Sequence, residues 1–129
     1  MRKLLVCIAL VLTTGCSTFR TLAPQSAPPL PDHYVVFFKP RTSELASDAQ
    51  AIVRQAAMAA QQRKASRIEI AVPPAVPGGA NVVEGRYTAI QNIIAASGAN
   101  PGVYSRAVLS QDATTLAGGN DRAEIRLVQ

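Results

Sequence analysis

Apolar residues cluster along this chain in short runs of changing period. Residues Tyr34-Val-Val-Phe-Phe38 form a continuous β-forming run, the pattern of a strand buried on both faces, and Lys39-Pro40 ends it. Ser47-Asp-Ala-Gln50 has the spacing of a capping box with Ser47 as N-cap. Beyond it Ala49, Ile52, Val53, Ala56, Ala57 and Ala60 recur at helical spacing, with Arg54, Gln55 and Gln62 opposite. The small alanines allow that helix to lie close against a sheet. Ile68, Ile70 and Val72 then alternate with Glu69 and Ala71 as a second strand, so strand, helix and strand predict a right-handed parallel βαβ unit. Pro73-Pro74 and Pro77-Gly78-Gly79 force a loop.

The same capping logic starts a second helix at Asn81 with Glu84. Its buried stripe is Val83, Tyr87, Ile90 and Ile94, and Gly98 stops it, with Pro101 just beyond. Val103 to Leu109 reads as a third strand and Ala113 to Asn120 as a Thr/Gly-rich loop. Glu124-Ile-Arg-Leu-Val128 alternates as a closing edge strand. The predicted fold is α+β, a single domain over residues 34–129 in the order βαβαββ, with two helices packed on a mixed sheet. No internal repeat occurs.

Ahead of this domain the pattern changes twice. Met1-Arg-Lys3 precedes an apolar run from Leu4 to Leu12, far short of the roughly 20 residues that span a bilayer and in proportion with a secretory signal. The run closes on Leu12-Thr-Thr-Gly-Cys16, which resembles a bacterial lipobox, although Thr13 stands where an aliphatic residue is usual. The resemblance implies cleavage after residue 15, a lipid on Cys16 and, with Ser17 following, an outer-membrane destination facing the periplasm. An ordinary signal peptide with a chance cysteine, or an uncleaved anchor, fits the same run. Residues 16–33 then read as a Pro-rich tether. The stretch 17–31 reaches about 45 Å at the polyproline rise, unless it packs on the domain as an arm.

Composition narrows the function. The 129 residues hold one domain, which excludes a multidomain enzyme. One His, no Trp and 5% aromatic content exclude a His-rich metal site and an aromatic base-stacking platform. Two cysteines make no disulfide scaffold. The formal charge is +5, but loss of residues 1–15 removes Arg2 and Lys3 and leaves 11 basic against 8 acidic side chains. Much of the basicity is therefore targeting signal, and no nucleic-acid partner is expected. No nucleophile elbow or activating base is present, and Gly78-Gly79 and Gly118-Gly119 lack a phosphate-loop pattern. The reading is non-enzymatic, with no cofactor or metal.

The element order, together with certain strings, resembles the OmpA-like domain of peptidoglycan-associated lipoproteins over residues 34–128. Tyr34-Val-Val-Phe-Phe38 with Ser43-Glu-Leu45 is similar to the family's opening strand and turn. Arg86 followed by Ile90, Ile94 and Gly98 matches its second-helix spacing. Asn120-Asp-Arg122-Ala-Glu124-Ile125 is similar to its Asn-Arg-Arg-Val-Glu-Ile. The resemblance implies binding of the diaminopimelate residue of peptidoglycan, a zwitterion whose carboxylate suits an Arg fork and whose ammonium needs an Asp. Arg86 is the leading candidate for the fork, with Arg122 and Asn120 behind it.

The family's acidic residue after the second strand is missing: Ala75 stands there, in a shortened, Pro-rich loop. Glu84 is a possible substitute already assigned a capping role. The alternatives for these residues are bland ones: Arg86 as a solvated helix-face cation, Arg122 as an exposed edge-strand charge, Asn120 as a turn residue, and His33 as an unremarkable imidazole. Two functions therefore stand side by side. One is a scaffold or assembly component of an envelope machine such as a pilus or secretion apparatus, with protein partners. The other is a peptidoglycan-binding lipoprotein that ties the membrane to the wall through Arg86.

Overall fold

The computed structural model describes residues 28–99, 104–110 and 119–129. The signal run, Cys16 and most of the tether lie outside the described residues, as does the predicted Thr/Gly-rich loop up to residue 118. The described elements are β1 (His33–Phe37), α1 (Ser47–Gln62), β2 (Arg67–Val72), α2 (Ala80–Ala96), β3 (Tyr104–Val108) and β4 (Arg122–Val128), with a short 3-10 turn at Gly119–Asp121 leading into β4. They make the expected α+β domain, two helices on a four-stranded mixed sheet.

The sheet order is β1-β4-β2-β3. β4 runs antiparallel to both β1 and β2, while β2 and β3 are parallel. β1 and β2 therefore point the same way, as the βαβ pattern requires, but β4 lies between them. This corrects the reading of the last strand as an edge. β4 is central because it is buried from both sides: Ala123, Ile125 and Leu127 face the helices, and Glu124 on the other face is 4% exposed. β1, read as buried on both faces, is in fact an edge strand, with Tyr34 and Val36 inside and Phe37 exposed.

One face of the sheet carries the core. Tyr34, Val36, Ile68, Ile70, Val72, Ile125 and Leu127 meet the alanine face of α1 and the Tyr87, Ile90 and Ile94 stripe of α2. Ala56, Ala57 and Ala59 are 1% exposed or less, so α1 is pressed closely against its neighbours. The helix starts differ from the sequence reading. Ala46 caps α1 and Gly79, at φ 79°, caps α2, neither through a side chain, because Ser47 already lies inside α1 and Asn81 inside α2. The end of α2 follows expectation. Gly98 at φ 86° closes α2 through the bonds Gly98 N to Ala95 O (2.9 Å) and Ala99 N to Ile94 O (3.3 Å), the left-handed stop that glycine makes without strain. α1 ends in the same bonding pattern on Lys64, at φ 52°.

The domain has two poles. At one, β1 begins, α1 and α2 end, and residues 28–32 arrive. Leu30 is half-buried against the core, its carbonyl accepts from Arg63 Nη1 at 2.6 Å, and the Asp32 carbonyl accepts from the Leu127 N–H at 2.7 Å. The last residues of the predicted tether are thus fixed on the domain. At the other pole, β1 ends, both helices begin and the turn into β4 lies.

Candidate functional site

The far pole gathers the residues singled out in the sequence. The chain leaves β1 through Phe38, which bridges Leu45, and the intervening loop is tied by Lys39 N to Glu44 O (2.8 Å) and Thr42 N to Lys39 O (3.1 Å). The Thr42 hydroxyl braces it by donating to the Lys39 carbonyl and accepting from the Glu44 N–H, each at 3.1 Å. This loop turns the Thr42 carbonyl toward α2. From the opposite side the 3-10 turn brings in Asn120 and Asp121, anchored where Phe38 N donates to the Asp121 carbonyl at 2.8 Å.

Arg86 of α2 lies between them. All three of its nitrogens donate: Nε to the Thr42 carbonyl at 2.9 Å, Nη1 to the Asn120 carbonyl, and Nη2 to Asp121 Oδ1 at 2.7 Å. Its guanidinium carbon sits 4.7 Å from the centre of the Phe38 ring. Arg86 is 0% exposed. It is therefore not the solvated helix-face cation the bland reading allowed. Two carbonyls, a carboxylate and an aromatic face surround it, and an incoming carboxylate would have to displace Asp121 to pair with it.

The other candidates are placed as follows. Asn120 is exposed and contributes its backbone carbonyl to Arg86. Arg122 turns to the opposite face of the sheet, where Nε and Nη2 donate to Glu124 Oε1 at 3.2 and 2.7 Å. Its side chain is 14% exposed, so it is not an exposed edge charge. Ala75 is exposed in the loop after β2 and offers no side-chain acceptor. Glu84 caps nothing: it holds Arg106 of β3 in a two-pronged pair at 2.5 and 2.6 Å, with Arg106 stacked on the Tyr87 ring. The hydrogen bonds from Arg106 hold the Glu84 carboxyl below its ordinary pKa.

Two acidic residues escaped the sequence reading. Asp121 is the carboxylate partner of Arg86, and it stands where the resemblance puts an Arg. Glu124 on the helix-free face receives Arg122, His33 Nε2 at 3.0 Å and Arg126 at 3.4 Å, which gives the lone imidazole a structural partner. The signal for Asp121 was a paired exchange: an acid lost at Ala75 and a base replaced by an acid at Asp121. The signal for the burial of Arg86 was its place in the stripe, four residues before Ile90 and eight before Ile94.

A test of the packing around Arg86 comes from its neighbour. A Cβ on Gly85 would lie 2.8 Å from both Cβ and Oγ of Ser43. Gly85→Ala gains about 1 kcal/mol of helix propensity, but it forces the loop carrying Thr42 away from Arg86. The expected result is a net loss of about 1–2 kcal/mol, read as a lower urea midpoint. A higher midpoint would show that this loop yields freely.

No protein-family model and no curated protein matches the sequence, but solved structures do match. The OmpA-like domain of FopA1 from Francisella tularensis superposes with a TM-score of 0.56 at 13% identity, over 72% of this chain and 69% of that one. The periplasmic domain of Helicobacter pylori MotB gives 0.56 at 14% identity, over 73% and 68%. The peptidoglycan-associated lipoprotein from Burkholderia pseudomallei gives 0.57 at 16% identity, over 71% and 87%. The fold is the OmpA-like one.

Proposed function

We propose that this OmpA-like domain belongs to a non-enzymatic lipoprotein of the cell envelope, held in the outer membrane through a lipid on Cys16 and facing the periplasm. There it acts as a scaffold or assembly component of an envelope machine, a pilus, a secretion apparatus or a similar structure. The observation that carries the scaffold reading is the closure of Arg86. A guanidinium with every nitrogen bonded inside the domain, and with Asp121 in the position a ligand carboxylate would take, has no fork to offer a stem peptide. The empty acceptor position at Ala75 weakens the grip on an ammonium as well, since a buried ammonium without a partner loses its hydration for nothing in return. The arrival of residues 28–32 at the pole opposite Arg86 fits a domain that turns its far end away from the membrane it is tethered to.

The test is sedimentation of the detergent-extracted full chain with purified sacculi at low and moderate salt. The expected outcome is no pelleting beyond the sacculus-free control. Saturable pelleting that free diaminopimelate competes away would overturn the scaffold reading and install wall binding through Arg86, with Asp121 displaced from it and Asn120 beside it. Membrane fractionation of a Cys16→Ser variant tests the anchor separately: retention in the membrane pellet would remove it.

A further inference from the structure

The two poles differ in charge as well as in content. At the far pole four cations are matched, Lys39 by Glu44 at 2.5 Å, Arg86 by Asp121 at 2.7 Å, Arg106 by Glu84 at 2.5 Å and Arg122 by Glu124 at 2.7 Å. A fifth, Arg41, is exposed and forms no ion pair among the described residues, with Asp48 in the first turn of α1 as the fifth acid. At the pole where residues 28–32 arrive, Arg63 and Lys64 end α1, Arg67 opens β2, and Arg126 lies across β4 from His33 at the start of β1. The acids there are Asp32 and Glu69. Arg67 pairs with Glu69 at 2.9 Å, and Arg126 reaches Glu124 only at 3.4 Å, with 61% of its side chain exposed. Arg63 spends its Nη1 on the neutral Leu30 carbonyl, and among the described residues neither it nor Lys64 forms an ion pair. An open depression beside the arriving chain is lined by Arg63, Arg126, His33, Asp32 and Glu69. Among the described residues this pole thus holds four cations, Arg63, Lys64, Arg67 and Arg126, against the two acids Asp32 and Glu69, where the far pole holds five cations against five acids.

From this distribution we infer that the tether-side pole is a cationic seat for the phosphate groups of an anionic lipid surface, with Arg63, Lys64, Arg67 and Arg126 as its contacts. The inference rests on the anchor reading, and the length of the chain supports it. Eleven residues separate Cys16 from Pro28, and even fully extended they span about 40 Å. A lipid on Cys16 therefore holds this pole, where the chain enters the domain, within reach of the bilayer. Basic side chains at such a surface gain from the negative surface potential, about fivefold in binding per cation, and the gain falls off within a Debye length. Seating would fix the domain upright, with the far pole turned outward.

The experiment labels amines on the full chain reconstituted into vesicles of phosphatidylcholine alone, or of phosphatidylcholine with phosphatidylglycerol. A water-soluble acylating reagent is used and each lysine is read by mass spectrometry. The expected result is a drop of about fivefold or more in Lys64 labelling in the anionic vesicles only, abolished by high salt and by combined Arg63→Gln, Arg67→Gln and Arg126→Gln substitution. Lys39 at the far pole should label alike in both. Equal labelling of Lys64 in the two vesicle types, or protection that ignores salt, would overturn the seat. The mass of the Cys16 peptide in the same digest reads the anchor independently, so a failed anchor and a failed seat give different results.

Discussion

Replacing Arg86 by Ala is expected to cost about 3–5 kcal/mol of folding stability, the range for breaking a buried ion pair from one side. The change removes the cation and leaves two carbonyls, of Thr42 and Asn120, and the Asp121 carboxylate without the donor they were folded around. It also opens a cavity under the Phe38 ring. Arg86→Lys keeps the charge but has no planar fork to reach three acceptors, so it should recover only part of the loss. Asp121→Ala is expected to cost less than Arg86→Ala. Its side chain is 30% exposed and it is one of three acceptors, so the guanidinium keeps its two carbonyls and gains some water. Urea midpoints of the three variants give the ranking directly. If Arg86→Ala unfolds at the wild-type midpoint, the residue carries no structural weight and must be held for a ligand. The ranking also decides how wall binding can be probed. A variant of Arg86 that loses sacculus binding because it no longer folds says nothing about the ligand, so the unmodified chain with a competitor is the sounder assay.

The sequence made the elements readable wherever an apolar stripe kept its period, and best where the stripe also met a glycine stop. α1 with its alanine face, and α2 from Tyr87 to the Gly98 stop, are such cases. The helix starts were less readable because a capping box is only a spacing: the backbone began α1 one residue early and α2 two residues early, and Glu84 found a better partner in Arg106. The place of β4 in the sheet was hidden for another reason. Its alternation of Ala123, Ile125 and Leu127 with Glu124 and Arg126 is that of a half-exposed strand, and nothing local reveals that Glu124 is buried by two arginines of its own strand and by His33 of β1. The same limit applies to the candidate site. Arg86 was found by its spacing, but that it is closed by Asp121 depends on a contact across 35 positions in the chain. Only the exchange of an acid and a base relative to a resembling family pointed toward it.

Glu124 is the second residue on which a large effect should fall, and its effect should depend on pH. Burial pushes the carboxyl pKa up, but the hydrogen bonds from Arg122 and His33, with their charge, outweigh it and hold the pKa below the ordinary 4.5. A carboxylate whose pKa is lowered by folding contributes stability that is complete above its unfolded value. That contribution is lost as the pH falls through the folded value. Glu124→Ala at neutral pH is expected to cost about 2–3 kcal/mol, below the full figure for a buried pair because His33 and Arg126 can turn to water while Arg122 cannot. Glu124→Gln keeps the shape and should lose roughly 1–2 kcal/mol. The two urea midpoints, wild type and Glu124→Gln, should stay apart from neutral pH down to about 4.5 and converge below it. Midpoints that keep a constant separation through the acid range would show that the charge of Glu124 is not what binds the cations of the sheet. The site of the effect bears on the tether proposed above. Any pull along residues 28–32 enters the sheet at His33, and the His33 to Glu124 contact, with the β1 to β4 ladder behind it, is where that load passes from an edge strand to the central one.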